Sequence, residues 1–285
     1  MKKLRIVIFG SMDWLNQSLN ELAKKKIKPL KVFLPNDRDN SNSIKLIKKL
    51  KLDFEIIASI NQDSIKLDRL KPDLILCFAF PEIFNKKILS IAKIGSINFH
   101  SSDLPKFRGR HPVNWAMIKG EEKIGICAHL MNEKIDLGDV LIRDYVYVDR
   151  DDLITDVMKK LSNKMKRMAL KVIEQASSNS FYKTSQNLEL ASYDPKRQEK
   201  DSKINWKDGS FKIHRFINAL GNPYPNAYTY IKKNNKICKF SQSFIGDQTG
   251  RVIAKTTDGR LVISTNDGII LVKSQIDLEV GELLK

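Results

Sequence analysis

Short β-branched runs alternate with amphipathic stretches along the first part of the chain. The apolar runs predict strands at residues 4–9, 30–34, 54–57, 74–80 and 97–99. Leu15, Leu19 and Leu22 recur at helical spacing after the first run, and further helices are predicted at 44–50 and 82–92. The run at 74–80 has no polar position, which is typical of a strand buried on both faces of a parallel sheet. This alternation predicts an α/β fold with a Rossmann-like, doubly wound parallel sheet.

The pattern changes in the second half of the chain. A long amphipathic helix is predicted after Asp152, and a polar segment at 177–203 has the composition of a linker. Beyond it, a helix at 210–220 precedes short predicted strands at 227–231, 236–242, 250–254, 261–264 and 269–276. Turn signals separate these strands at Asn234-Asn235, 247–250, Asp258-Gly259 and Asp267-Gly268. We therefore predict a Rossmann-like domain at 1–176, a linker at 177–203 and a small OB-like β-barrel at 204–285.

Composition places the chain among ordinary globular proteins. Of its 285 residues, 42% are hydrophobic and 8% aromatic, which excludes a disordered or collagen-like chain. The apolar runs are too short to span a membrane, and residues 1–9 lack the longer apolar region of a signal peptide. The three cysteines, Cys77, Cys127 and Cys238, show no spacing typical of metal ligands. We therefore expect a cytoplasmic protein without disulfides and without a metal site.

The formal net charge of +17 raises the question of a nucleic-acid partner. The excess is +9 over residues 1–150 (27 basic against 18 acidic) and +8 over residues 151–285 (23 against 15). Because the charge is spread evenly and comes mostly from lysine, it favours a solvated surface over a dedicated nucleic-acid patch. Phosphate-bearing partners remain compatible with it.

The side chains best suited to catalysis lie near the predicted strand at 97–99. Asn98 and His100 are two residues apart, so their side chains project from the same face, at a strand end where α/β sheets bind ligands. Asp136 lies in a second loop, at 135–139. The amide and imidazole could stabilise an oxyanion during attack on a carbonyl, while the carboxylate orients the ring. Asn98 and His100 could also be a hydrogen-bonded structural pair.

The surroundings of this pair narrow the class of reaction. A polar loop follows at 101–109, and its Arg108, together with Arg110, can hold an anionic group. No serine or cysteine nucleophile elbow lies beside the pair, so direct transfer between two substrates is favoured over a covalent acyl-enzyme. Gly10 stands alone after the first strand without a GxGxxG motif, so the sequence does not support a dinucleotide cofactor.

The run from Asn98 to Trp115, together with Asp136-Leu-Gly-Asp139, closely resembles the folate-dependent formyltransferases. The shared signature is Asn-x-His, then Leu-Pro-x-x-Arg-Gly, then Asp-x-Gly-Asp. Residues 204–206 and 222–230 are similar to the opening of that family's C-terminal barrel domain. The resemblance therefore extends over nearly the whole chain.

The resemblance implies a set of site residues and a co-substrate. Asn98, His100 and Asp136 would form the catalytic trio, and N10-formyltetrahydrofolate would donate the formyl group, with no metal involved. The cofactor-binding residues would be Phe78, Ala79, Phe80 and Asp139. The strand end at 78–80 would supply backbone contacts to the pterin. For Phe78 and Phe80, a plain core position is an equally open interpretation.

Two branches of this family differ in the amine that they formylate, which is either methionyl-tRNA or an amino sugar linked to a nucleoside diphosphate. The short, acidic-polar segment at 35–43 favours the sugar branch, and residues 108–115 resemble the Arg-Gly-Arg-x-Pro-x-Asn-Trp of sugar formyltransferases. We therefore expect a dTDP-, UDP- or GDP-linked deoxyamino sugar as partner, for lipopolysaccharide or O-antigen biosynthesis. The substrate-binding residues would be Met12, Trp14, Arg108 and Arg110. Ordinary packing at the helix start explains Met12 and Trp14 equally well.

Two alternatives stay open. Methionyl-tRNA formyltransferase activity is the first, because the barrel and the positive charge are both expected of that branch. The second is a non-catalytic folate- or nucleic-acid-binding module, in which Tyr224, Tyr228 and Tyr230 would stack on bases beside nearby lysines. The sugar, the nucleotide base, the amine position and the oligomeric state also stay open, with a homodimer among the options.

Overall fold

A computed structural model describes residues 3–222, 224–230, 236–245, 254–255, 258–265 and 269–274 of the chain. The chain forms two compact units. The first comprises Met1–Gly109, Gly125–Val146 and Lys160–Tyr193, and the second comprises Arg110–Ile124, Tyr147–Lys159 and Asp194–Lys285. The domain boundaries at residues 176 and 204 stay a prediction.

The described elements follow one another from a β/α alternation into a run of strands. In chain order, the strands up to residue 194 are β1 (Ile6–Gly10), β2 (Lys31–Pro35), β3 (Phe54–Ile57), β4 (Leu74–Phe78), β5 (Gly95–His100), β6 (Arg108–Gly109), β7 (Lys123–Leu130), β8 (Val140–Tyr147) and β9 (Tyr193–Asp194). The helices are α1 (Met12–Lys24), α2 (Ser41–Lys49), α3 (Ser64–Leu70), α4 (Lys86–Leu89), α5 (Pro112–Ile118), α6 (Ile154–Ser177) and α7 (Ser210–Ala219). Short 3-10 turns lie at Leu188–Leu190 and Glu199–Ser202. The later strands are β10 (Ala227–Tyr230), β11 (Ile237–Ile245), β12 (Ala254–Lys255), β13 (Leu261–Ser264) and β14 (Ile269–Ser274).

The central sheet has the strand order β3-β2-β1-β4-β5-β7-β8. Its first five strands pair in parallel, and β7 runs antiparallel to β5. Every residue of β1 and β4 is buried, as their uninterrupted apolar runs predict. The strand order reverses between β1 and β4, so a ligand-binding crevice is expected at the carboxyl ends of these two strands. The predicted Rossmann-like fold is confirmed.

The C-terminal strands form a separate antiparallel sheet in the order β10-β11-β14-β13-β12. Its apolar core includes Phe240, Ile270 and Val272, and Ile213 and Ile217 from α7 belong to the same cluster. The small C-terminal β domain is thereby confirmed. The turn predicted at Asp258-Gly259 joins β12 to β13, and Gly259 has a φ of +79° that favours glycine. The turns predicted at 234–235, 247–250 and 267–268 lie outside the described residues.

The long predicted helix after Asp152 is α6, whose apolar face is buried. Val157, Leu161 and Met165 have no exposed surface, so the methionine fills core space as its position in the stripe indicates. Within the described residues, no helix combines the length and the apolarity that crossing a membrane requires.

The helix predicted at 82–92 is wrong at both ends, because α4 spans only Lys86–Leu89. The carboxylate of Glu82 instead accepts hydrogen bonds from the backbone N–H groups of Ile60 (2.8 Å) and Asn61 (3.2 Å), which draws this segment into a loop. The side chain of Asn85 then caps α4 by accepting from the N–H of Ile88. The sequence prediction also missed α3 and α5, which are both seven residues long.

Candidate active site

Asn98 and His100 lie on β5, at the edge of the parallel part of the sheet. They share one face of the strand, as their spacing predicts. The pairing of β5 with β7 places His129 directly opposite Asn98. His100 is buried and Asn98 is half-buried. An amide and two imidazoles therefore meet at one end of the sheet.

Asp136 is the side chain that joins this group. One carboxylate oxygen, Oδ2, lies 3.5 Å from Nδ1 of His100 and accepts a 3.0 Å hydrogen bond from the N–H of Gly109. The other, Oδ1, lies 3.4 Å from Nε2 of His129 and accepts a 3.3 Å hydrogen bond from Nδ2 of Asn98. The structure thus brings together the three residues predicted as a catalytic trio, two from β5 and Asp136 from a loop 38 positions beyond Asn98.

The surroundings of Asp136 keep it ionised. Burial acts to raise the pKa of its carboxyl group, but the positive field of His100, the contacts with His129 and the Gly109 N–H outweigh burial. Together they hold the pKa of Asp136 well below its usual range. The site therefore contains a fixed negative charge that can orient an imidazole ring and stabilise it when it carries a proton.

His129 is the site residue that the sequence analysis missed. Its Nδ1 lies 2.9 Å from the carbonyl oxygen of Leu130, so this nitrogen carries a hydrogen. When the ring is neutral, Nε2 is an acceptor to which Nδ2 of Asn98 can donate at 3.2 Å; when the ring is protonated, Nε2 donates to Oδ1 of Asp136 instead. The sequence signal that could have found His129 is the strand at 123–130, because a strand paired antiparallel with β5 brings His129 beside Asn98. The strand β7 itself was not predicted.

His100 is fixed at both ring nitrogens. Its Nε2 lies 2.9 Å from the carbonyl oxygen of Phe107, in the loop that follows β5. A carbonyl oxygen only accepts, so Nε2 carries a hydrogen. Its Nδ1 faces Asp136. Nδ1 can therefore carry a proton that the Asp136 carboxylate stabilises, while Nε2 keeps its own hydrogen, as proton transfer requires.

The residues at the end of β4 divide between core and backbone positions. The Phe78 ring stacks on Phe99, with centroids 4.5 Å apart, and Phe80 packs edge-on against Phe9 at 5.2 Å. Phe78 therefore belongs to the core, and Phe80 is half-buried and packs against it. Ala79 adopts a left-handed conformation with φ of 51°, and its carbonyl oxygen accepts from Oγ of Ser11 at 2.9 Å. The backbone contacts of residues 78–80 with a pterin stay a prediction.

The two candidates at the start of α1 differ in exposure. Trp14 is 7% exposed and belongs to the core, which favours ordinary packing at the helix start. Met12 is 38% exposed and has a φ of 63°, unusual for a residue with a side chain. Met12 therefore remains a candidate for contact with an acceptor.

The two predicted anion-binding arginines have different environments. Arg108 is 2% exposed, and its guanidinium donates to Oε1 of Gln186 and to the hydroxyl of Tyr193. These contacts favour a structural role for Arg108 over contact with a diphosphate. Arg110 belongs to the second unit. Because it is exposed, it remains a candidate for binding an anionic group. Asp139 is half-buried and accepts from Oγ of Ser185 at 3.0 Å.

No cluster suited to a metal ion accompanies these residues. Across the part of the chain that the structure describes, no three His, Cys, Asp or Glu side chains form such a group. Cys77 and Cys127 are buried, and burial raises the pKa of the Cys127 thiol to about 11. Both therefore behave as small apolar side chains.

An amide, an imidazole and a carboxylate meet at the end of β5 in an α/β sheet, and this set of groups suits an enzyme that transfers a group between two substrates. The family models identify which one. Residues 2–173 match the formyl transferase family and residues 196–284 match the formyl transferase C-terminal domain. The chain therefore belongs to the formyl transferase family and is a folate-dependent formyltransferase, which confirms the family and the enzyme class predicted from the motifs.

Relatives of two kinds resemble the chain. The methionyl-tRNA formyltransferase of Clostridium acetobutylicum is 33% identical over 246 residues, which cover 83% of this chain and 76% of that protein. Among solved structures, WlaRD, a sugar 3N-formyl transferase crystallised with dTDP and 5-N-formyl-THF, has a TM-score of 0.74 at 22% identity, covering 98% of this chain and all of that one. The N-formyltransferase of Helicobacter canadensis, in complex with folinic acid and dTDP-3-aminofucose, has a TM-score of 0.75 at 20% identity and covers 95% and 99%.

Proposed function

We propose that this formyltransferase transfers the formyl group of N10-formyltetrahydrofolate to a primary amine on a nucleotide-linked deoxyamino sugar, using Asn98, His100 and Asp136. The observation that carries the proposal is the position of Asp136, whose carboxylate contacts both other members of the trio. A hydrogen-bonded structural pair at a strand end would not require a buried, ionised carboxylate between an amide and two imidazoles.

The contacts of the trio support a division of labour. The neutral amine of the acceptor attacks the formyl carbon, a new C–N bond forms, and the bond from that carbon to N10 breaks. The amide of Asn98 donates to the oxygen, on which negative charge develops, by giving up one of its bonds to Asp136 and His129, and Nε2–H of His100 donates to it by giving up the Phe107 carbonyl oxygen. His100, held by Asp136, moves the proton from the attacking amine toward the departing nitrogen. The atoms and charges balance without a covalent enzyme intermediate.

The end of β4 is the part of the sheet edge that fits a folate. The carboxyl ends of β1 and β4 lie where the strand order reverses, the side chain of Phe78 is buried in the core, and the half-buried Phe80 packs against Phe9. The backbone at 78–80 is therefore the part of that strand end that can meet a pterin. WlaRD and the Helicobacter canadensis enzyme were both crystallised with formylated folates, which supports this donor.

A compact segment before α2 supports the sugar acceptor. Only residues 36–40 separate β2 from α2, and Asn40 ties this turn by donating from Nδ2 to the carbonyl oxygens of Pro35 and Arg38. The segment therefore leaves no long loop to grip a large acceptor. The dTDP and dTDP-sugar complexes of the two structural neighbours point the same way.

Methionyl-tRNA is the second candidate acceptor. Its support is the 33% identity to the Clostridium acetobutylicum methionyl-tRNA formyltransferase, which exceeds the identity to either sugar enzyme. The net charge of +17 is split almost equally between residues 1–150 and 151–285, so it is not concentrated in the C-terminal part of the sequence.

An acceptor panel separates the two. The enzyme is incubated with N10-formyltetrahydrofolate and dTDP-, UDP- or GDP-linked amino sugars, beside methionyl-tRNA, and the formamide product is detected by mass spectrometry. We expect formylation of at least one nucleotide sugar at a kcat/KM well above that for methionyl-tRNA. Formylation of methionyl-tRNA alone would overturn the sugar acceptor and leave the catalytic trio intact.

A further inference from the structure

Residues 184–193 contact both loops that carry the active site, although the sequence analysis placed them within a linker. We call this segment the strap. It lies in the first compact unit and contains the 3-10 turn Leu188–Leu190. Its backbone is pinned at the start, where Thr184 and Val140 exchange two N–H to carbonyl hydrogen bonds of 2.9 Å.

The first half of the strap holds the loop of Asp136. The side-chain amide of Gln186 donates to the carbonyl oxygen of Asp136 at 2.9 Å and to that of Gly138 at 2.7 Å. Oγ of Ser185 donates to Asp139 at 3.0 Å. The Asp136 loop therefore receives three hydrogen bonds from two successive strap side chains.

The second half of the strap holds the loop that follows His100. The N–H of Phe107 donates to Oγ of Ser192 at 2.8 Å, and the N–H of Arg108 donates to the Ser192 carbonyl oxygen at 2.9 Å. The N–H of Ser192 in turn donates to the carbonyl oxygen of Pro105 at 3.2 Å. Phe107 is the residue whose carbonyl oxygen contacts Nε2 of His100.

Gln186 connects the two halves through Arg108. Its Oε1 accepts from both Nε (3.2 Å) and Nη2 (2.6 Å) of Arg108, while Nη1 of Arg108 donates to the hydroxyl of Tyr193 at 2.9 Å. A primary amide suits this position because one end donates two hydrogens and the other accepts two. Arg108 is 2% exposed, so losing its partners would leave a buried cation poorly satisfied.

The loop of Asp136 needs such external ties. Asp136 has a φ of 49°, in the left-handed region, which Asp adopts more readily than most residues with side chains but which still disfavours it relative to glycine. Such a conformation persists only where the surroundings enforce it. The two bonds donated by Gln186 end on the carbonyl of this residue and on that of Gly138, on either side of Leu137.

We propose that Gln186 is a positioning residue for formyl transfer, which holds the Asp136 carboxylate in register with His100 by tying both active-site loops to Arg108. This rests on the proposed catalytic trio. Gln186 acts through backbone carbonyl groups and through Arg108 rather than on the reacting atoms. Its contribution therefore belongs to kcat rather than to substrate affinity.

Gln186→Glu separates positioning from simple stability. A carboxylate keeps the size of the side chain and its pairing with Arg108, but it cannot donate to the Asp136 and Gly138 carbonyl oxygens. We expect kcat to fall about 10- to 100-fold, as small displacements of catalytic groups do, with KM for both substrates changed less than about threefold. Asn187→Ala is the matched control, because this neighbouring amide accepts only from the N–H of Glu189 within the strap.

Two further variants distinguish a failure of the proposed role of Gln186 from a failure of the proposed catalytic trio. If Gln186→Glu does not fold, Gln186→Asn replaces it, because it keeps the amide but withdraws it by one methylene, and the same loss of kcat is expected. Unchanged kcat in the folded variant, or a loss equalled by Asn187→Ala, overturns the role of Gln186. Asp136→Asn is assayed in parallel: if it retains full activity, the trio itself is wrong, whatever Gln186→Glu does.

Discussion

Oδ2 of Asp136 lies 3.5 Å from Nδ1 of His100 and also accepts the N–H of Gly109. One carboxylate oxygen thus ties the loop at 135–139 to the loop that follows β5. The other oxygen faces Asn98 and His129. The orientation of both proposed oxyanion donors therefore depends on a single side chain, and the consequences can be measured separately for catalysis and for stability.

Replacing Asp136 with Asn tests its charge at nearly constant shape. The amide cannot stabilise a proton on His100 as the carboxylate does, so we expect kcat to fall by on the order of 10² to 10³. Formamide production under saturating substrates measures it. Asp68→Asn, at an exposed position of α3, is the control and should keep the activity of the wild type. Equal activity of the two variants would contradict a catalytic role for Asp136.

The lowered pKa of Asp136 predicts a pH-dependent contribution to stability. In the unfolded chain, this carboxyl takes up a proton near its ordinary pKa of about 3.9, whereas the folded protein keeps it ionised to lower pH. Its stabilising contribution is therefore fully present above about pH 5 and declines as the pH falls toward the folded pKa. The free energy of unfolding should decrease more steeply in the wild type than in Asp136→Asn.

Urea denaturation at about pH 6, 4.5 and 3 measures this difference, in the range where the unfolded carboxyl titrates. The two proteins share every other titratable group, so the difference between their unfolding free energies reports Asp136 together with its coupling to His100 and His129. We expect the wild-type advantage to shrink between the highest and the lowest pH. A constant difference across this range would mean that the folded and unfolded pKa values of Asp136 are alike.

His129 is expected to act on Asn98. In the neutral ring, Nε2 of His129 accepts from Nδ2 of Asn98, so removing that acceptor frees the amide to rotate away from the oxyanion position. We predict that His129→Leu lowers kcat by about 10-fold, while His129→Gln, whose oxygen can still accept, retains more activity. The ratio of the two rates is the measurement. If both variants lose activity equally, packing of the ring rather than its hydrogen bond is what matters.

The sheet and the common face of Asn98 and His100 follow from features that are local in the sequence, whereas Asp136 joined them through the resemblance to the formyltransferase signature. Uninterrupted apolar runs such as 74–80 mark buried parallel strands, and the spacing of Asn98 and His100 fixes their common face. Both features are set by a few consecutive residues. The C-terminal strands were predicted on the same basis, from alternation and turn signals such as Asp258-Gly259.

The features that were missed depend on contacts between distant segments. Glu82 looks like a helix residue in the sequence, but its carboxylate binds the backbone at Ile60 and Asn61. His129 gains its partners only through the pairing of β7 with β5. Arg108 has the sequence context of an anion ligand, and its burial against Gln186 involves a residue 78 positions away. Contacts between residues so far apart in the sequence cannot be predicted from a local pattern of residues.

Gly138 offers a test of how tightly the Asp136 loop must pack against β7. A Cβ at this position would lie 1.7 Å from the carbonyl oxygen of Leu130, so Gly138→Ala forces the loop or the strand to move. We expect a loss of about 2–3 kcal/mol in the free energy of unfolding, as overpacking in a dense site causes, together with a drop in kcat because Asp136 shifts with the loop.

Gly120→Ala is the control for Gly138→Ala. Its Cβ would meet nothing within 4 Å, but its φ of +86° costs about 1–2 kcal/mol in backbone strain. Both variants should therefore be less stable than the wild type, and only Gly138→Ala should lose kcat when each is assayed well below its melting temperature. Equal kcat values for Gly138→Ala and the wild type would show that the active site tolerates displacement of this loop.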